Sequence, residues 1–555
     1  MRLNKLTIGT SDLTPENQFK NLNNITIDFS ENHWFTVLLG RNGTGKSNIL
    51  EFLSIIFADL ISKKKNPRYQ YQIKYWMGDK DELRYIIIDA DPQRTTKKYI
   101  FTSYSVSHVL VNNQQYPNDI DKYLPSIKAE KISFAQFTNE DMPYLPKFIF
   151  SYYSGFNTRL ESIFEGYTKS YEHDMRAGVT SLDLKRMFYT KPIHSKLVLL
   201  SFLFENNPEI NNTLKSVLNL DLDLGIDSIL FELIEPSWKN KTNDGDARFW
   251  QARGIVQNFL SELIKFSLAP IKIKKVIAQT LYNKTNKEHL YLYIKDSKTF
   301  RDFIKDTTPH ILFRNLESSI ASDLLKDVHI NVKIKDNTGF ITHRELSEGE
   351  LQFLTVLGLI YFTRGKESLI LLDEPDTHLN PQWSINFLDY LKIFFDEAVQ
   401  DKSHVILTTH SPLSISALEK KQVQILSRKA GQISIESPDY DPRGMGVAGI
   451  LTSDMFGLTS TLDKKTNNKL LRMHQLSTQD HLSDDEKNEL NQLNNDLNSL
   501  DFNFASRDRL EQEFMRARFD LLTGNFFEGE DPTLTQENKL KALNNLVKVL
   551  VNKDF

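Results

Sequence analysis

Gly40-Arg41-Asn42-Gly43-Thr44-Gly45-Lys46-Ser47-Asn48 carries the spacing Gly-x-x-x-x-Gly-Lys-Ser. Glycines at these positions let successive backbone N–H groups curl around phosphate oxygens. Lys46 can then extend an ammonium to the outer phosphates, and the Ser47 hydroxyl is a ligand type for Mg²⁺. A helix opening directly after the loop adds a dipole that favours an anion. The bland alternative is a glycine turn with no ligand. Against it stand an apolar run before the loop, Phe35 to Leu39, and helically spaced apolar residues after it, Ile49, Leu50, Phe52, Leu53, Ile55, Ile56 and Phe57. Strand, glycine loop and helix is the order this chemistry needs. ATP and Mg²⁺ are the expected cofactors.

A second set of groups lies more than 300 residues on. Leu369-Ile370-Leu371-Leu372 reads as a buried strand ending in Asp373-Glu374-Pro375. Asp373 is the expected metal carboxylate beside Ser47, and Glu374 the expected catalytic carboxylate that polarises an attacking water. The competing reading, two carboxylates capping a following helix, fits poorly with a chain that already holds a phosphate loop. Val405 to Leu407 is another short strand, ending in Thr408-Thr409-His410. A lone histidine is more often structural, but its place after the carboxylate strand makes His410 a candidate contact for the terminal phosphate. Leu346-Ser347-Glu348-Gly349-Glu350 opens a helical pattern through Leu351, Leu354, Leu357 and Ile360. Ser347 and Glu350 alone form a capping box.

These groups need a scaffold, and the pattern of strands alternating with helices predicts an α/β fold with a largely parallel sheet. Short strands are expected at Lys5 to Ile8 and Ile25 to Phe29, and a second strand-rich region from Val328 to Ile334. The expected organisation is an ATPase head in two parts, residues 1–110 and 328–445, split by a large mixed α/β insertion over 111–327. A helical C-terminal region over 446–555 follows. The insertion mixes strands (Tyr85 to Ile88 ahead of it, Phe148 to Tyr152, His289 to Ile294) with helices (Lys196 to Phe204, Ile311 to Leu325), and no heptad pattern is sustained. The tail carries leucines at Leu490, Leu493, Leu497 and Leu500, and at Leu540, Leu543 and Leu546. Such stripes call for an apolar surface, in this chain, in a second copy or in a partner.

Composition removes several classes of function. At 555 residues the chain exceeds one ordinary core. Hydrophobic residues at 40% and charged residues at 25% exclude a disordered chain. Without cysteine there is no disulfide, thiolate metal site or cysteine nucleophile. A formal charge of -4 argues against a surface that coats nucleic acid everywhere. The clusters Lys63-Lys64-Lys65 with Arg68, and Lys272, Lys274 and Lys275, are local candidates for phosphate-backbone contact, although short lysine runs are usually solvated faces. No apolar run approaches the roughly 20 residues that span a bilayer, and the N-terminus lacks a signal-peptide pattern. A cytoplasmic protein with no membrane span is expected.

The order of phosphate loop, Ser-Glu-Gly-Glu segment, Asp373-Glu374 and His410 resembles the ATP-binding-cassette ATPases. The resemblance implies that Ser347, Gly349 and Glu350 of one subunit cover the ATP held by the phosphate loop of another, so that the heads form a homodimer or higher oligomer. It also implies that Thr377-His378-Leu379-Asn380 is a dimer-facing loop. The family's glutamine loop has only a weak counterpart here, the strand ending at Tyr152-Tyr153-Ser154-Gly155. The long insertion and the acidic signature depart from transporter cassettes. Gly-Arg-Asn-Gly-Thr-Gly-Lys-Ser-Asn and Asp-Glu-Pro-Asp-Thr-His-Leu-Asn-Pro are more similar to the branch containing RecF, structural-maintenance and overcoming-lysogenisation ATPases. The last of these carry a nuclease domain after the head. Asp439-Tyr440-Asp441 has the Asp-x-Asp spacing of such a domain but no apolar strand before it, and no His-Asn-His motif is evident.

The chain therefore looks most like the PtuA-type ATPases of Septu and retron-linked antiphage systems. That resemblance implies a regulator of a separate HNH-type nuclease, with a reverse transcriptase and its RNA/DNA product as a further partner. The alternatives are a RecF-like repair ATPase that clamps or loads on DNA and, remotely, an energising subunit of a transporter.

Overall fold

Alternating apolar residues along five short strands dictate a sheet covered on both sides. In the computed structural model these strands are β1 (Phe35–Gly40), β2 (Phe148–Tyr153), β4 (Ser368–Asp373), β5 (Ser403–Thr408) and β6 (Val423–Lys429), with β3 (Met187–Tyr189) and β7 (Gln432–Glu436) at the two edges. The structure describes residues 1–500 except 11–13, 30–33, 80–81, 107–119, 156–157, 179–184, 203–206, 219–225, 239–244, 279–283, 334–339, 343–345, 364, 396–401, 430–431, 478–482 and 499. The seven strands lie in the order β3-β2-β4-β5-β1-β6-β7. All neighbours are parallel except the final β6–β7 pair. The molecule is thus α/β with one large, mainly parallel sheet, as the sequence predicts.

The two faces of this sheet bury different neighbours. Leu38, Ile149, Leu369, Leu371, Ile406 and Leu426 point into one apolar cluster with helix α1 (Lys46–Ile61) and the N-terminal sheet. Val37, Leu39, Phe148, Phe150, Ile370, Leu372, Val405 and Leu407 point the other way. There they meet α3 (Ile193–Phe202), α5 (Glu348–Thr363), α6 (Pro381–Phe394) and the sheet of the insertion. α1 is buried nearly all round, which is why it is apolar all round. Its two buried acids are paired, Glu51 with Lys20 and Asp59 with Lys64 and Arg68.

The N-terminal sheet is six-stranded and antiparallel, running Ile25–Asp28, Arg2–Ile8, Tyr71–Met77, Arg84–Ala90, Tyr99–Ser105 and Ala129–Ile132. The insertion sheet is five-stranded and also antiparallel, ordered Leu268–Ala278, Lys284–Ile294, Ile226–Ile234, Leu325–Lys333 and Phe340–Thr342. Two sequence-based readings change here. The strand predicted over Val328–Ile334 is found as Leu325–Lys333, with Ile334 outside the described residues, but it pairs with Ile226–Ile234 and so joins the insertion sheet instead of opening the second part of the head. Conversely, β2 lies between β3 and β4 in the parallel sheet, although the sequence places it in the insertion. Helices α2 (Arg159–Ala177) and α4 (Pro309–Ala321) pack near this edge with α3.

The chain divides into two compact units, residues 1–457 and 458–555. In the second, the helices Lys464–Ser477 and Asp484–Asn498 pack together through Lys469–Asp496 and Arg472–Glu489 ion pairs. Leu497 is buried in this unit while Leu500 is exposed. Leu540, Leu543 and Leu546 lie outside the described residues. No helix among the described residues is long and apolar enough to cross a membrane.

Candidate functional site

The phosphate loop sits where β1 ends and α1 begins. Gly45 caps α1 with φ +101°, and a Cβ there would also press on Leu22 and Asn21 at 3.0–3.1 Å. Only glycine suits both demands. The Thr44 hydroxyl ties the loop by donating to the Arg41 carbonyl at 2.8 Å. The loop apex is held from outside, because Asn21 Nδ2 donates to the Gly43 carbonyl at 3.0 Å. Asn48 Nδ2 in turn donates to Asn21 Oδ1 at 2.6 Å. Asn42 and Gly43 remain exposed at the rim. Arg41 reaches the Gly457 carbonyl at 3.5 Å.

Lys46 Nζ donates to the Gly40 carbonyl at 2.8 Å and to the Arg41 carbonyl at 3.4 Å. Burial pulls its pKa down to about 8, against an upward pull from Glu374 and Asp373. The ammonium is therefore near the two carboxylates that the sequence pairs with it. Ser47 makes that link direct, since its hydroxyl donates to Asp373 Oδ1 at 3.0 Å.

Parallel strands in register bring the remaining groups together at one edge. Tyr153, Asp373 and Thr408 are register partners across β2, β4 and β5. Carboxyl ends of parallel strands are the general ligand-binding edge of such sheets. Asp373 is 2% exposed and accepts from Thr408 Oγ1 as well as from Ser47. Its carboxyl is pushed above the usual range by burial, with the neighbouring Glu374 charge adding to the push. A bound cation would relieve both.

Glu374 sits differently. Its backbone is left-handed, at φ +51°, and its N–H donates to the carbonyl and the hydroxyl of Thr408, both at 3.1 Å. A non-glycine residue held there costs about 1–3 kcal/mol, a cost met most often at functional sites. Its side chain is turned to His410, with Nε2 at 3.3 Å from Oε1. The histidine bond, followed by the charges of His410 and Lys46, holds the glutamate below its ordinary pKa against the upward pull of burial. Asp373 and Glu374 thus have opposite shifts, one buried among hydroxyls and one partly open beside an imidazole.

The segment after β2 also reaches this edge. Ser154 N–H donates to the Asp373 carbonyl at 3.3 Å, and its hydroxyl pairs with Thr377 Oγ1 at 3.3 Å. No glutamine occupies this position, although the geometry is that of a loop touching the carboxylates.

Ser347 and Glu350 bond each other at the head of α5. Ser347 N–H and Oγ donate to Glu350 Oε2 at 2.6 and 2.8 Å, and Glu350 N–H returns to Ser347 Oγ at 3.3 Å. Among the described residues, neither side chain bonds the phosphate loop of its own chain. Gly349 is buried against the loop after the carboxylates, where an added Cβ would collide with the His378 carbonyl oxygen. Gln352 Nε2 donates to the Glu374 carbonyl at 3.4 Å. The first turn of α5 is therefore seated on the loop that follows Glu374.

Three contributors are not among the residues that the sequence singles out for the site. Asn21 lies in a hairpin turn upstream of the loop it holds. Thr408 could have been found, since it ends the strand before His410. Asp376 accepts hydrogen bonds from Thr409 and Ser414. Other flagged groups have local duties. Lys64 and Arg68 neutralise Asp59, and Lys272 and Lys274 flank Glu288 at 3.2 and 3.9 Å. Asp441 accepts from the Lys420 backbone at 2.7 Å, and Asp439 N–H is bonded to Asp454 at 3.0 Å.

Residues 195–416 match a family model described as "AAA domain, putative AbiEii toxin, Type IV TA system". That span includes Ser347, Gly349, Asp373, Glu374 and His410 and leaves the phosphate loop outside it. The chain is 36% identical over 99 residues to the Septu protein PtuA of Bacillus mycoides (strain KBAB4), which is 17% of this chain and 13% of that protein. It is 23% identical over 229 residues to the Retron Vc95 probable ATPase of Vibrio cholerae serotype O1 biovar El Tor, 39% of this chain and 42% of the relative. It is also 30% identical over 116 residues to Protein ea59 of Escherichia phage lambda, 21% of each chain. The chain spans less than half the length of each of these relatives.

Proposed function

We propose that this chain, an ATPase related to PtuA of the antiphage systems, binds and hydrolyses ATP between two heads and thereby controls a nuclease on a separate subunit. The observation that carries the hydrolytic reading is the 3.0 Å bond from Ser47 Oγ to Asp373 Oδ1, which joins the phosphate loop to the carboxylate strand across 326 residues of sequence.

The residues present fit ATP and Mg²⁺. Ser47 and Asp373 are adjacent hard oxygen donors, the class Mg²⁺ prefers. An added Cβ at Gly43 would meet nothing within 4 Å, so the loop backbone is open to a ligand. Bound Mg²⁺ would supply charge neutralisation on the phosphate oxygens. Lys46 would hold the outer phosphates with its ammonium. Glu374, kept ionised by His410, would orient the attacking water and accept its proton at the carboxylate. His410 holds that carboxylate in place and lines the cleft beside it. Thr408 and the Ser154 backbone fix Asp373.

Composite sites follow from the signature. Ser347 is exposed, and among the described residues its side chain bonds only Glu350, which leaves it placed to meet a second head, as the cassette resemblance implies. The same resemblance supports an HNH-type nuclease as the controlled partner, with the reverse transcriptase and its nucleic acid as a further one. The test uses the full chain with Mg²⁺ and ATP, alone and with the product of its neighbouring gene. ATP-dependent dimerisation, phosphate release, and DNA cleavage only by the mixture are expected. Ser347→Arg should leave the monomer folded and abolish ATP-dependent dimerisation. Dimerisation unaltered in that variant refutes the composite site, and cleavage by this chain alone refutes the separate effector.

A further inference from the structure

We propose that Asp376 is a positioning residue that sets the distance between Glu374 and His410, an inference that rests on reading Glu374 as the catalytic carboxylate. The two side chains stand on different loops, one after β4 and one after β5, and meet at 3.3 Å. The two strand ends are already joined at the backbone, since Glu374 N–H donates to Thr408, but that bond does not fix where the side chains beyond it point. Asp376 adds a side-chain link between the two loops. It is two residues after Glu374, and its Oδ2 accepts from Thr409 Oγ1 at 2.5 Å and from Ser414 Oγ. Thr409 directly precedes His410, and its hydroxyl also accepts from the Ser411 N–H at 2.9 Å. One carboxylate oxygen therefore grips the residues on both sides of the histidine.

Burial argues that this carboxylate has more to do than pack. Asp376 is 6% exposed, and among the described residues no cation bonds it. Among the described residues, two neutral hydroxyls and its own backbone N–H repay the loss of hydration, which is costly for an ionisable group. An apolar trio of similar volume would hold two loops together more cheaply. What it would lack is direction: hydroxyl-to-carboxylate bonds fix orientation as well as distance. The far side of Glu374 is equally tied, because its carbonyl accepts from Thr377 Oγ1 at 2.9 Å. The glutamate is thus clamped from its own loop and aligned to the histidine through Asp376. A cavity of about 320 Å³ lies beside this junction, lined by Glu374, Asp376, Thr377, His410 and Ser411 among others.

The full-length protein tests this by steady-state ATP hydrolysis with Mg²⁺. Asp376→Ala should lower kcat about tenfold to a hundredfold while KM for ATP moves less than about threefold, the loss expected when a reacting group is misplaced by about 1 Å. Asp376→Asn keeps an acceptor oxygen for both hydroxyls and should stay within about threefold of wild type. In a His410→Ala background the Asp376→Ala change should cost little more, because the pair it aligns is already gone. A folded Asp376→Ala protein with wild-type kcat overturns the proposal, as does an Asp376→Asn protein as slow as Asp376→Ala. If Asp376→Ala does not fold, Thr409→Val decides by the same kcat-against-KM split. If the wild-type chain hydrolyses no ATP, the hydrolytic reading fails. The imidazole ¹⁵N shifts of His410 then test the positioning alone: they should change in Asp376→Ala and hold in Asp376→Asn, and unchanged shifts in both overturn it.

Discussion

Glu374 with His410 and Glu317 with His194 are chemically the same pair in two regions of one unit, and their surroundings give them opposite characters. Glu317 is on α4 and His194 on α3, with Nε2 at 2.8 Å from the carboxylate and both side chains about 2% exposed. The Lys191 N–H meets His194 Nδ1 at 2.7 Å, while Nε2 faces Glu317. Lys185 Nζ completes the cluster at 2.7 Å. Both carboxylate oxygens of Glu317 are engaged, one by Lys185 and one by His194. The Glu374 pair stands on loops at the carboxyl edge of the sheet, is roughly one-third exposed, and is looser at 3.3 Å. Among the described residues, its histidine is bonded through Nε2 to Glu374. A pair built between helices locks them, and a pair built between strand ends is left with capacity to react.

The largest expected effect breaks this comparison on the catalytic side. Glu374→Gln should retain ATP binding yet slow hydrolysis about 10²- to 10⁴-fold, the range for removing a general base. Its urea midpoint should match wild type, because an exposed pair contributes little to stability. Equal phosphate release by the two proteins, in preparations cleared of contaminating ATPases, would show that the open pair has no catalytic role.

The converse substitution should move stability and spare the chemistry. Glu317→Leu leaves Lys185 buried without its counter-ion and His194 without its acceptor, and should cost about 3–5 kcal/mol. Chemical denaturation reads that loss, while kcat of the protein still folded should remain within about threefold. A Glu317→Leu protein of wild-type stability but low kcat would erase the distinction between the two pairs.

Which parts of this were visible beforehand depends on sequence distance. The phosphate loop is legible because strand, glycines and helix adjoin, so local pattern alone specifies β1, the loop and α1. Asp373 and Glu374 are legible because an apolar strand ends abruptly in two acids. Partnership between strands is not legible. The alternation at Val328 to Ile334 is identical whether a strand joins a parallel head or an antiparallel insertion, and only pairing with Ile226–Ile234 decides. β2 joins β4 across more than 200 residues, an adjacency no local periodicity encodes. The same holds for side chains. Glu317 and His194 are 123 residues apart, and each alone looks like an ordinary polar residue on an amphipathic helix.

The smallest effect is the most discriminating, because it asks the two glutamates the same question by pH. Burial alone would raise the Glu317 pKa, but Lys185 and then His194 outweigh it and bring it to about 2 from 4.5. A carboxylate with a depressed folded pKa stabilises the protein fully above its unfolded value and loses that contribution as pH falls towards the folded value. The window is therefore from pH 4.5 down to about 2, and the full contribution is at most about 3 kcal/mol. Glu374 is also depressed, chiefly by its bond to His410, so its contribution has the same sign. Solvent around that half-open pair holds it below about 1 kcal/mol. Melting temperatures measured between pH 6 and pH 3 should fall steeply for wild type, almost as steeply for Glu374→Gln, and distinctly less for Glu317→Gln, which starts lower and has no proton to take up at that site. Parallel acid slopes for wild type and Glu317→Gln would mean that Lys185 and His194 do not hold Glu317 ionised, and the closed pair would lose the electrostatic role that separates it from the open one.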